Sequence, residues 1–250
     1  MDSKAVDWIE ADWPAPSGII AGCTIRTGGV SEGPYAALNL GAHVGDDPER
    51  VAENRRRFVA ATGLAAEPAW LKQVHGSHVV DADPSSETEA DGVVSLDGRH
   101  ALGILTADCL PILLCSTQGP EIAALHCGWR SLSGGIVRHA VDRLRSPRTS
   151  LMAWLGPAIA QPAFEVGDDV RDVFLAGIPE AARCFEPNRR GRWQADLYGL
   201  ARLYLADAGV ESVYGGGYCT RDDSARFFSY RRDGTTGRMA SFLCWRPGAV

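Results

Sequence analysis

The sequence has no apolar run long enough to cross a membrane. Its most apolar stretch, residues 101–115, is interrupted by Thr106, Asp108 and Pro111 and falls short of the roughly 20 residues that span a bilayer. Residues 1–7 are acidic and lack the basic and then apolar pattern of a signal peptide. We therefore expect no membrane segment and a cytoplasmic location.

Clustered positive charge is also scarce. The 31 Asp and Glu residues outnumber the 25 Lys and Arg residues, so the formal net charge is −6. The tightest basic runs, residues 55–57, 189–192 and 231–232, are short and scattered. Because affinity for a phosphate backbone rests on clustered Lys and Arg, the sequence predicts no nucleic-acid partner.

The seven cysteines show no paired spacing, and their odd number does not suit a disulfide framework. Reduced thiols in a cytoplasm fit this pattern best. The chain has no internal repeat and no low-complexity linker, and its 250 residues are enough to bury a sizeable core. We therefore expect one domain over residues 1–250.

Local signals predict three helices. Asp47 is a suitable N-cap and Gly63 a suitable stop for a helix over residues 47–62. Apolar residues at helical spacing predict a second helix over residues 131–144. The third, over residues 196–209, begins at an aspartate cap and ends at a glycine.

Short apolar runs predict buried strands at residues 101–105, 110–115 and 122–125. The segment 227–245 is predicted to form two strands joined by a loop at residues 233–237. These strands do not all look parallel. The chain is thus predicted to have a mixed fold of α and β elements.

Three polar residues lie at the ends of apolar segments, where a rigid scaffold presents side chains to a cleft. They are His75, Cys109 and His126. Two imidazoles and one thiolate suit zinc, with a fourth position left for water or substrate. Their spacing matches no compact zinc motif, however, and a packed cysteine with two hydrogen-bonded histidines would explain the same residues. The residues alone leave both interpretations open.

Arginines form a second group of candidates. Arg26 begins a glycine-rich segment, Arg130 follows the turn after His126, and Arg231 and Arg232 follow an aromatic segment. Guanidinium groups bind phosphate or carboxylate with two parallel hydrogen bonds, and glycine-rich backbone can add amide donors. Surface ion pairs with the many acidic residues are the alternative.

Short motifs along most of the chain resemble the bacterial laccase-domain family, also called the multicopper polyphenol oxidoreductase or peptidoglycan editing factor family. Each motif is weak alone, but their order is specific. They are residues 26–31 (RTGGVS), 38–41 (LNLG), 44–47 (VGDD), 53–55 (ENR), 73–76 (QVHG), 106–111 (TADCLP), 128–130 (GWR), 155–157 (LGP), 164–167 (FEVG) and 228–232 (FSYRR).

The resemblance implies that His75, Cys109 and His126 are metal ligands, with zinc as the metal and copper as an alternative. It also implies an α+β fold, a four-layer α/β/β/α sandwich with mixed sheets, similar to the catalytic domain of cytotoxic necrotizing factor. Cys127 stands where the family usually has alanine. On a strand, Cys127 would point away from His126, so the site should be unaffected.

Members of the family are described as purine nucleoside phosphorylases. The resemblance therefore implies cleavage of adenosine or inosine by phosphate to ribose 1-phosphate and free base, with adenosine deamination and methylthioadenosine cleavage as side activities. The partners would be a purine nucleoside and phosphate, and we expect a monomer. Arg26 and Arg231 would hold phosphate, and Asn39 and Tyr230 would contact the sugar or base.

Two other activities remain open. A copper-dependent polyphenol oxidase would suit the older family name, but six histidines and three methionines are few for several copper ions. A metal-free cysteine amidase acting on muramyl-peptide precursors would use Cys109 as nucleophile and His126 or His75 as base. Chelation separates the amidase from a zinc enzyme, because only the zinc enzyme would lose activity.

Overall fold

The computed structural model describes residues 5–246 and residue 248. Residues 1–4, the beginning of the acidic segment without a signal pattern, lie outside this part. The described helices are α1 (Pro48–Thr62), α2 (Trp129–Ser133), α3 (Ile136–Arg143), α4 (Asp168–Gly177), α5 (Leu197–Asp207) and α6 (Tyr230–Asp233). Short 3₁₀ turns occupy Gly33–Tyr35, Arg148–Ser150, Gln161–Ala163 and Pro179–Cys184.

Fifteen strands are described, most of them short. They are β1 (Trp8–Glu10), β2 (Ile19–Thr24), β3 (Leu71–Lys72), β4 (Val79–Asp81), β5 (Thr88–Glu89), β6 (Gly92–Ser95), β7 (Leu102–Thr106), β8 (Leu110–Ser116), β9 (Ile122–Cys127), β10 (Leu151–Leu155), β11 (Glu165–Val166), β12 (Phe185–Pro187), β13 (Trp193–Ala195), β14 (Ser212–Gly215) and β15 (Met239–Trp245).

The strands form two principal sheets. One has six strands in the order β14-β10-β8-β9-β6-β4, and the other has four in the order β1-β2-β15-β7. The six-stranded sheet is mixed, because β14 and β4 pair parallel to their neighbours whereas its central strands are antiparallel. Two small sheets, β11-β13-β12 and β3-β5, complete the fold. The prediction of a mixed α+β fold with several sheets is confirmed.

Alternation along β8 and β9 divides the core, because successive side chains of a strand point to opposite faces. Ile112 and Leu125 belong to an apolar cluster that includes buried residues of α3, α4 and α5. Leu113 and Ala124 belong to another cluster, which also contains Ile104 of the four-stranded sheet. The central strands are therefore largely apolar on both faces, and their polar residues, His126 of β9 and Ser116 of β8, lie near the strand ends.

A third apolar cluster covers the four-stranded sheet on its side toward α1. Leu105 of β7 and Phe242 of β15 pack there with Phe58 of α1. The Phe58 and Phe242 rings meet edge to face, with centroids 5.2 Å apart. Burying a side chain of this size contributes about 1.5–3 kcal/mol, so this contact anchors α1 to the sheet.

The predicted helix over residues 47–62 is confirmed. The Asp47 side chain accepts a hydrogen bond from the Glu49 backbone N–H, and Gly63 ends the helix with a φ of +69°. The strands predicted at 101–105, 110–115 and 122–125 correspond to β7, β8 and β9. The helix predicted over residues 196–209 is α5, capped by Asp196.

Two sequence predictions are corrected by the structure. The single helix predicted over residues 131–144 is broken into α2 and α3, because Gly135 adopts a φ of +86° between them. In segment 227–245, only residues 239–245 form a strand. The first predicted strand is absent from the described structure, and residues 230–233 form the short helix α6 in its place. The Ser229 side chain caps this helix by accepting a hydrogen bond from the Arg232 backbone N–H.

No helix among the described residues is long and apolar enough to cross a membrane.

Replacing Gly135 by Ala tests the helix break. Left-handed backbone costs a residue with a Cβ about 1–2 kcal/mol, so the free energy of unfolding should fall by about that amount. A Cβ at this position would meet only His139 atoms, at 3.8 and 3.9 Å, so collision adds little. Gly135→Asn should lose less, because asparagine tolerates this conformation. Urea denaturation measures both; an unchanged midpoint for Gly135→Ala would contradict the break.

Candidate metal centre

The structure brings together the three residues that the sequence predicts as ligands. One nitrogen each from His75 and His126 and the sulfur of Cys109 all lie within 4.8 Å of one another. The two imidazole rings meet edge to face with centroids 4.8 Å apart. Their exposure differs, since His126 is buried, Cys109 is half-buried and His75 is exposed. Three donors from distant parts of the chain therefore converge on one point.

Strand pairing explains how Cys109 reaches His126. In the antiparallel β8–β9 pair, Leu110 faces Cys127 and Pro111 faces His126, so Cys109 lies directly before the first paired residue. Gly128 follows the end of β9, and a Cβ there would lie 3.1 Å from Cys109 Sγ and 3.3 Å from His75 Cδ2. A larger residue at Gly128 would press on both ligands. The hairpin and this glycine together leave room for the three donors.

Asp91 connects the two histidines. Its carboxylate is fully buried and lies 2.7 Å from His126 Nδ1. It also accepts backbone N–H hydrogen bonds from Val74 at 3.2 Å, His75 at 2.9 Å and Gly76 at 2.6 Å. Because Asp91 occupies Nδ1 of His126, Nε2 is the nitrogen left for a metal. A carboxylate that orients a ligand histidine in this way also raises the basicity of the ligand.

The three donors also change each other's ionisation. Burial disfavours the Cys109 thiolate, but His126 and His75 stabilise it more strongly and lower its pKa to about 6. Burial likewise disfavours a charged His126, whereas Cys109 and Asp91 stabilise the charge and raise its pKa to about 9. At neutral pH the cysteine is therefore a thiolate, which is the form that binds metal ions and acts as a nucleophile.

Asp108 fixes the opposite side of the site. It is buried and adopts a φ of +103°, a conformation that residues other than glycine rarely take. Its carboxylate accepts from Thr220 Oγ1 at 2.6 Å, from Ser229 Oγ at 3.0 Å and from the backbone N–H of Arg231 at 2.7 Å. The residue next to Cys109 thereby holds the segment that contains Tyr230 and Arg231.

A cavity of about 400 Å³ adjoins the three donors. Its walls are partly apolar and include the aromatic rings of Trp129 and Phe164. The polar and charged groups on the walls, besides the three donors, are those of His43, Gln73, Thr106, Asp108, Tyr230, Arg231 and Arg238. Such a mixture of apolar walls and a few placed polar groups is typical of small-molecule sites.

Two of the four residues predicted to contact substrate line this cavity, namely Tyr230 and Arg231. Tyr230 is 63% exposed, at the rim. The Arg231 guanidinium carbon lies 5.5 Å from the centre of the Phe164 ring. The Tyr230 side chain is therefore available to a molecule in the cavity. One nitrogen of the Arg231 guanidinium donates to the Glu165 backbone oxygen at 3.3 Å, and the guanidinium retains further N–H donors.

Arg26 and Asn39 are not among the cavity residues. The Arg26 guanidinium donates to the backbone oxygens of Ala36 and Ser224 and lies over the Phe228 ring. Asn39 is fully buried, and its side chain is engaged by neighbouring backbone groups and by a nearby carboxylate. In the structure both residues hold loops together, because buried polar groups need internal partners.

The side chains of the remaining candidates, Arg130, Arg232 and Cys127, contact other groups of the protein. Arg130 is exposed and stacks on Trp129, with 4.4 Å from its guanidinium carbon to the ring centre. Arg232 donates to backbone oxygens of Thr220, Arg221 and Phe227. Cys127 lies in the apolar cluster with the helices, as expected for a strand neighbour of His126 that points the other way.

The fold and this site define the class: an α+β protein with a possible His/Cys/His metal site beside a cavity. Residues 20–246 match the family described as multi-copper polyphenol oxidoreductase laccase. The chain belongs to this family.

Curated relatives include "Purine nucleoside phosphorylase PA4543" of Pseudomonas aeruginosa, which is 52% identical over 239 residues, covering 95% of this chain and 98% of the relative. "Purine nucleoside phosphorylase YfiH" of Escherichia coli is 46% identical over 237 residues, covering 94% of this chain and 97% of the relative. Among solved structures, protein NMB0706 of Neisseria meningitidis is 48% identical with a TM-score of 0.92, and 96% of this chain and 99% of that chain are covered.

Alkylation of the metal-free protein tests the ionisation of Cys109. Its thiolate fraction is expected to stay high above pH 7 and to fall by half near pH 6, so the rate of labelling by iodoacetamide should follow that curve. Buried Cys23 and Cys115, whose pKa values are raised to about 12 by burial, should stay unlabelled. Peptide mass spectrometry locates the label, and Cys109→Ala is the control. A midpoint above pH 8 would contradict the lowered pKa of Cys109.

Asp91→Asn tests the orienting role of the buried carboxylate. Loss of such a partner typically weakens metal binding by roughly 10- to 100-fold, and zinc affinity measured by competition with a chelator should fall accordingly. Asp168→Asn is the matched control: Asp168 also accepts from a ring N–H, that of Trp193, but lies outside the cavity walls. Unchanged affinity in Asp91→Asn would show that Asp91 does not position the ligands.

Proposed function

We propose that the protein is a metal-dependent purine nucleoside phosphorylase that cleaves adenosine or inosine with phosphate and acts as a monomer. The observation that carries the proposal is the cavity, in which the His75, Cys109 and His126 donors face the same space as two arginines and three aromatic side chains. The same activity is supported by the relatives from Pseudomonas aeruginosa and Escherichia coli, both of which are named purine nucleoside phosphorylases. A volume of about 400 Å³ lies within the range of small-molecule sites.

The donor set fits zinc. Two neutral imidazole nitrogens and one thiolate are ligands that zinc prefers, and three protein ligands are typical of catalytic zinc. The lowered pKa of Cys109 and the Asp91 contact to Nδ1 of His126 both prepare the donors for a cation. A zinc ion held there supplies Lewis acidity and a coordination position for a small ligand. Copper would accept the same donors.

The reaction requires a nucleoside and phosphate to meet in the cavity. A phosphate oxygen forms a bond to ribose C1′ as the bond from C1′ to purine N9 breaks, and that electron pair stays with the purine, which takes up a proton. Trp129 and Phe164 offer aromatic faces to the base, since both line the cavity. Holding both reactants in one geometry is itself a large part of catalysis.

Arg231 and Tyr230 are the proposed polar contacts to substrate. Asp108 accepts from the Arg231 backbone N–H, which fixes the start of α6 beside Cys109. The exposed Tyr230 hydroxyl is placed to contact the sugar or the base at the rim. Adenosine deamination and methylthioadenosine cleavage would use the same cavity and belong to the proposal as side activities.

An alternative, a cysteine amidase, is favoured by one observation. Cys109, His126 and Asp91 could act as nucleophile, base and orienting carboxylate, respectively. His126 Nδ1 lies 2.7 Å from the Asp91 carboxylate. The polyphenol oxidase has less support, since among residues 5–246 and 248 one His/Cys/His group is close enough to bind a metal. A multicopper site needs further imidazoles for each additional ion.

We further propose that residues 1–250 form one domain in which the two principal sheets pack face to face between helices, as a four-layer α/β/β/α sandwich. The cluster shared by Leu113 and Ile104 supports the contact between sheets. The helices around Val137 and Phe58 would form the outer layers. The likeness to the cytotoxic necrotizing factor domain stays a prediction.

The test is phosphate-dependent release of hypoxanthine from inosine by protein of measured metal content. Wild-type protein should release hypoxanthine only with phosphate and should lose activity on chelation. Cys109→Ala should lose bound metal and cleavage together, because it removes one of three ligands. Cys219→Ala is the matched control, since Cys219 is also half-buried but does not line the cavity. Full activity after chelation would contradict the metal mechanism, and absence of cleavage would contradict the phosphorylase.

A further inference from the structure

A second cation lies in the cavity wall, apart from the metal donors and from Arg231. Arg238 precedes β15, is partly buried and lines the cavity. One of its terminal nitrogens donates to the backbone oxygens of Thr236 and Gly237, at 3.0 Å each. Over the part of the chain that the structure describes, its guanidinium forms no ion pair with an acidic side chain. A partly buried charge without a counter-ion is costly unless an anion joins it.

The position of Arg238 is fixed by the loop at residues 39–41. Asn39 Oδ1 accepts the Arg238 backbone N–H at 2.9 Å, and the Leu40 N–H donates to the Arg238 carbonyl at 3.2 Å. The side-chain stem passes over Gly41, where a Cβ would lie only 2.8 Å from Arg238 Cγ. Asn39, which the sequence suggests as a substrate contact, therefore acts here as a positioning residue for Arg238.

The surroundings of Arg238 favour a negative ligand. Burial lowers the pKa of Arg238, and the charges on Cys109 and Asp108 only partly oppose this. The Asp108 carboxylate accepts from two hydroxyl groups and one backbone N–H, and among the described residues the Arg238 guanidinium is not one of its hydrogen-bond donors. Burial and then the Arg238 charge lower the pKa of His43 on the same wall. This wall therefore carries a guanidinium that has no ion-pair partner among the described residues, and such a group suits an anionic ligand.

We infer that Arg238, with His43 and Arg231 on the same cavity walls, forms the subsite that binds inorganic phosphate. The inference rests on the proposed phosphorolysis, for which phosphate is the second substrate. A guanidinium offers a planar pair of N–H donors that matches two phosphate oxygens, and the backbone contacts of its other nitrogen hold that plane in place. Arg238 is then a specificity determinant for phosphate and is not one of the three metal donors.

Steady-state kinetics on Arg238→Gln tests the subsite. Loss of a charge-assisted contact should raise the KM for phosphate roughly tenfold or more, while the KM for inosine changes less than about threefold. Arg238→Lys should give an intermediate phosphate KM, because it keeps the charge but loses the planar pair of donors. Arg202→Gln is the matched control: Arg202 also donates to two backbone oxygens, those of Val213 and Gly215, but it does not line the cavity. An unchanged phosphate KM in Arg238→Gln would overturn the inference.

Equilibrium binding separates this inference from the proposed function. Inorganic phosphate is titrated into wild-type and variant proteins and followed by calorimetry, with equal metal content confirmed beforehand. Weaker phosphate binding in Arg238→Gln than in wild-type protein supports the subsite even if inosine is not cleaved. Equal binding, or no binding to wild-type protein, overturns it. Should Arg238→Gln fail to fold, Gly41→Ala displaces the arginine stem without removing the charge and should weaken phosphate binding in the same way.

Discussion

The Asp91 carboxylate can stay charged and fully buried because three backbone N–H groups and the His126 ring point at it. An ionised carboxylate inside a protein is tolerated only when its oxygens are hydrogen-bonded or paired. The donors come from two places, the loop at residues 74–76 and strand β9, so satisfying this one charge draws both places together. The close approach of the His75 and His126 rings is a direct result.

The rest of the site follows from strand geometry. The β8–β9 register sets Cys109 beside the end of β9, and Gly128 leaves the space that the three donors share. Both strands are buried throughout, so their side chains cannot move far without opening the core. The positions of Cys109 and His126 are therefore set by the sheet. His75 lies in the loop at residues 74–76 and is held through its backbone N–H by Asp91. The segment around Tyr230 and Arg231 is held by Asp108.

Local signals in the sequence were enough to predict some helices and strands and the three metal donors. Asp47 and Gly63 mark both ends of α1, and residue types at strand ends, together with the family motifs, single out His75, Cys109 and His126. Asp91 was missed because its partners lie 15 to 35 residues away along the chain. Arg26 looks like a phosphate ligand in a glycine-rich segment, but one of its acceptors is 198 residues distant. Likewise, the apolar periodicity over residues 131–144 continues across Gly135. It gives no sign that this glycine takes a positive φ, so the break between α2 and α3 could not be predicted from it.

Strand β15 occupies an inner place in its sheet, between β2 and β7, although it is the last strand described along the chain. During synthesis β2 and β7 therefore emerge long before the strand that joins them. Until residues 239–245 leave the ribosome, the edges of β2 and β7 that pair with β15 have no partner. Arg238, which directly precedes β15, is likewise missing from the cavity wall until then. All three metal donors lie within residues 75–126 and are therefore synthesised before Arg238, the arginine inferred to bind phosphate.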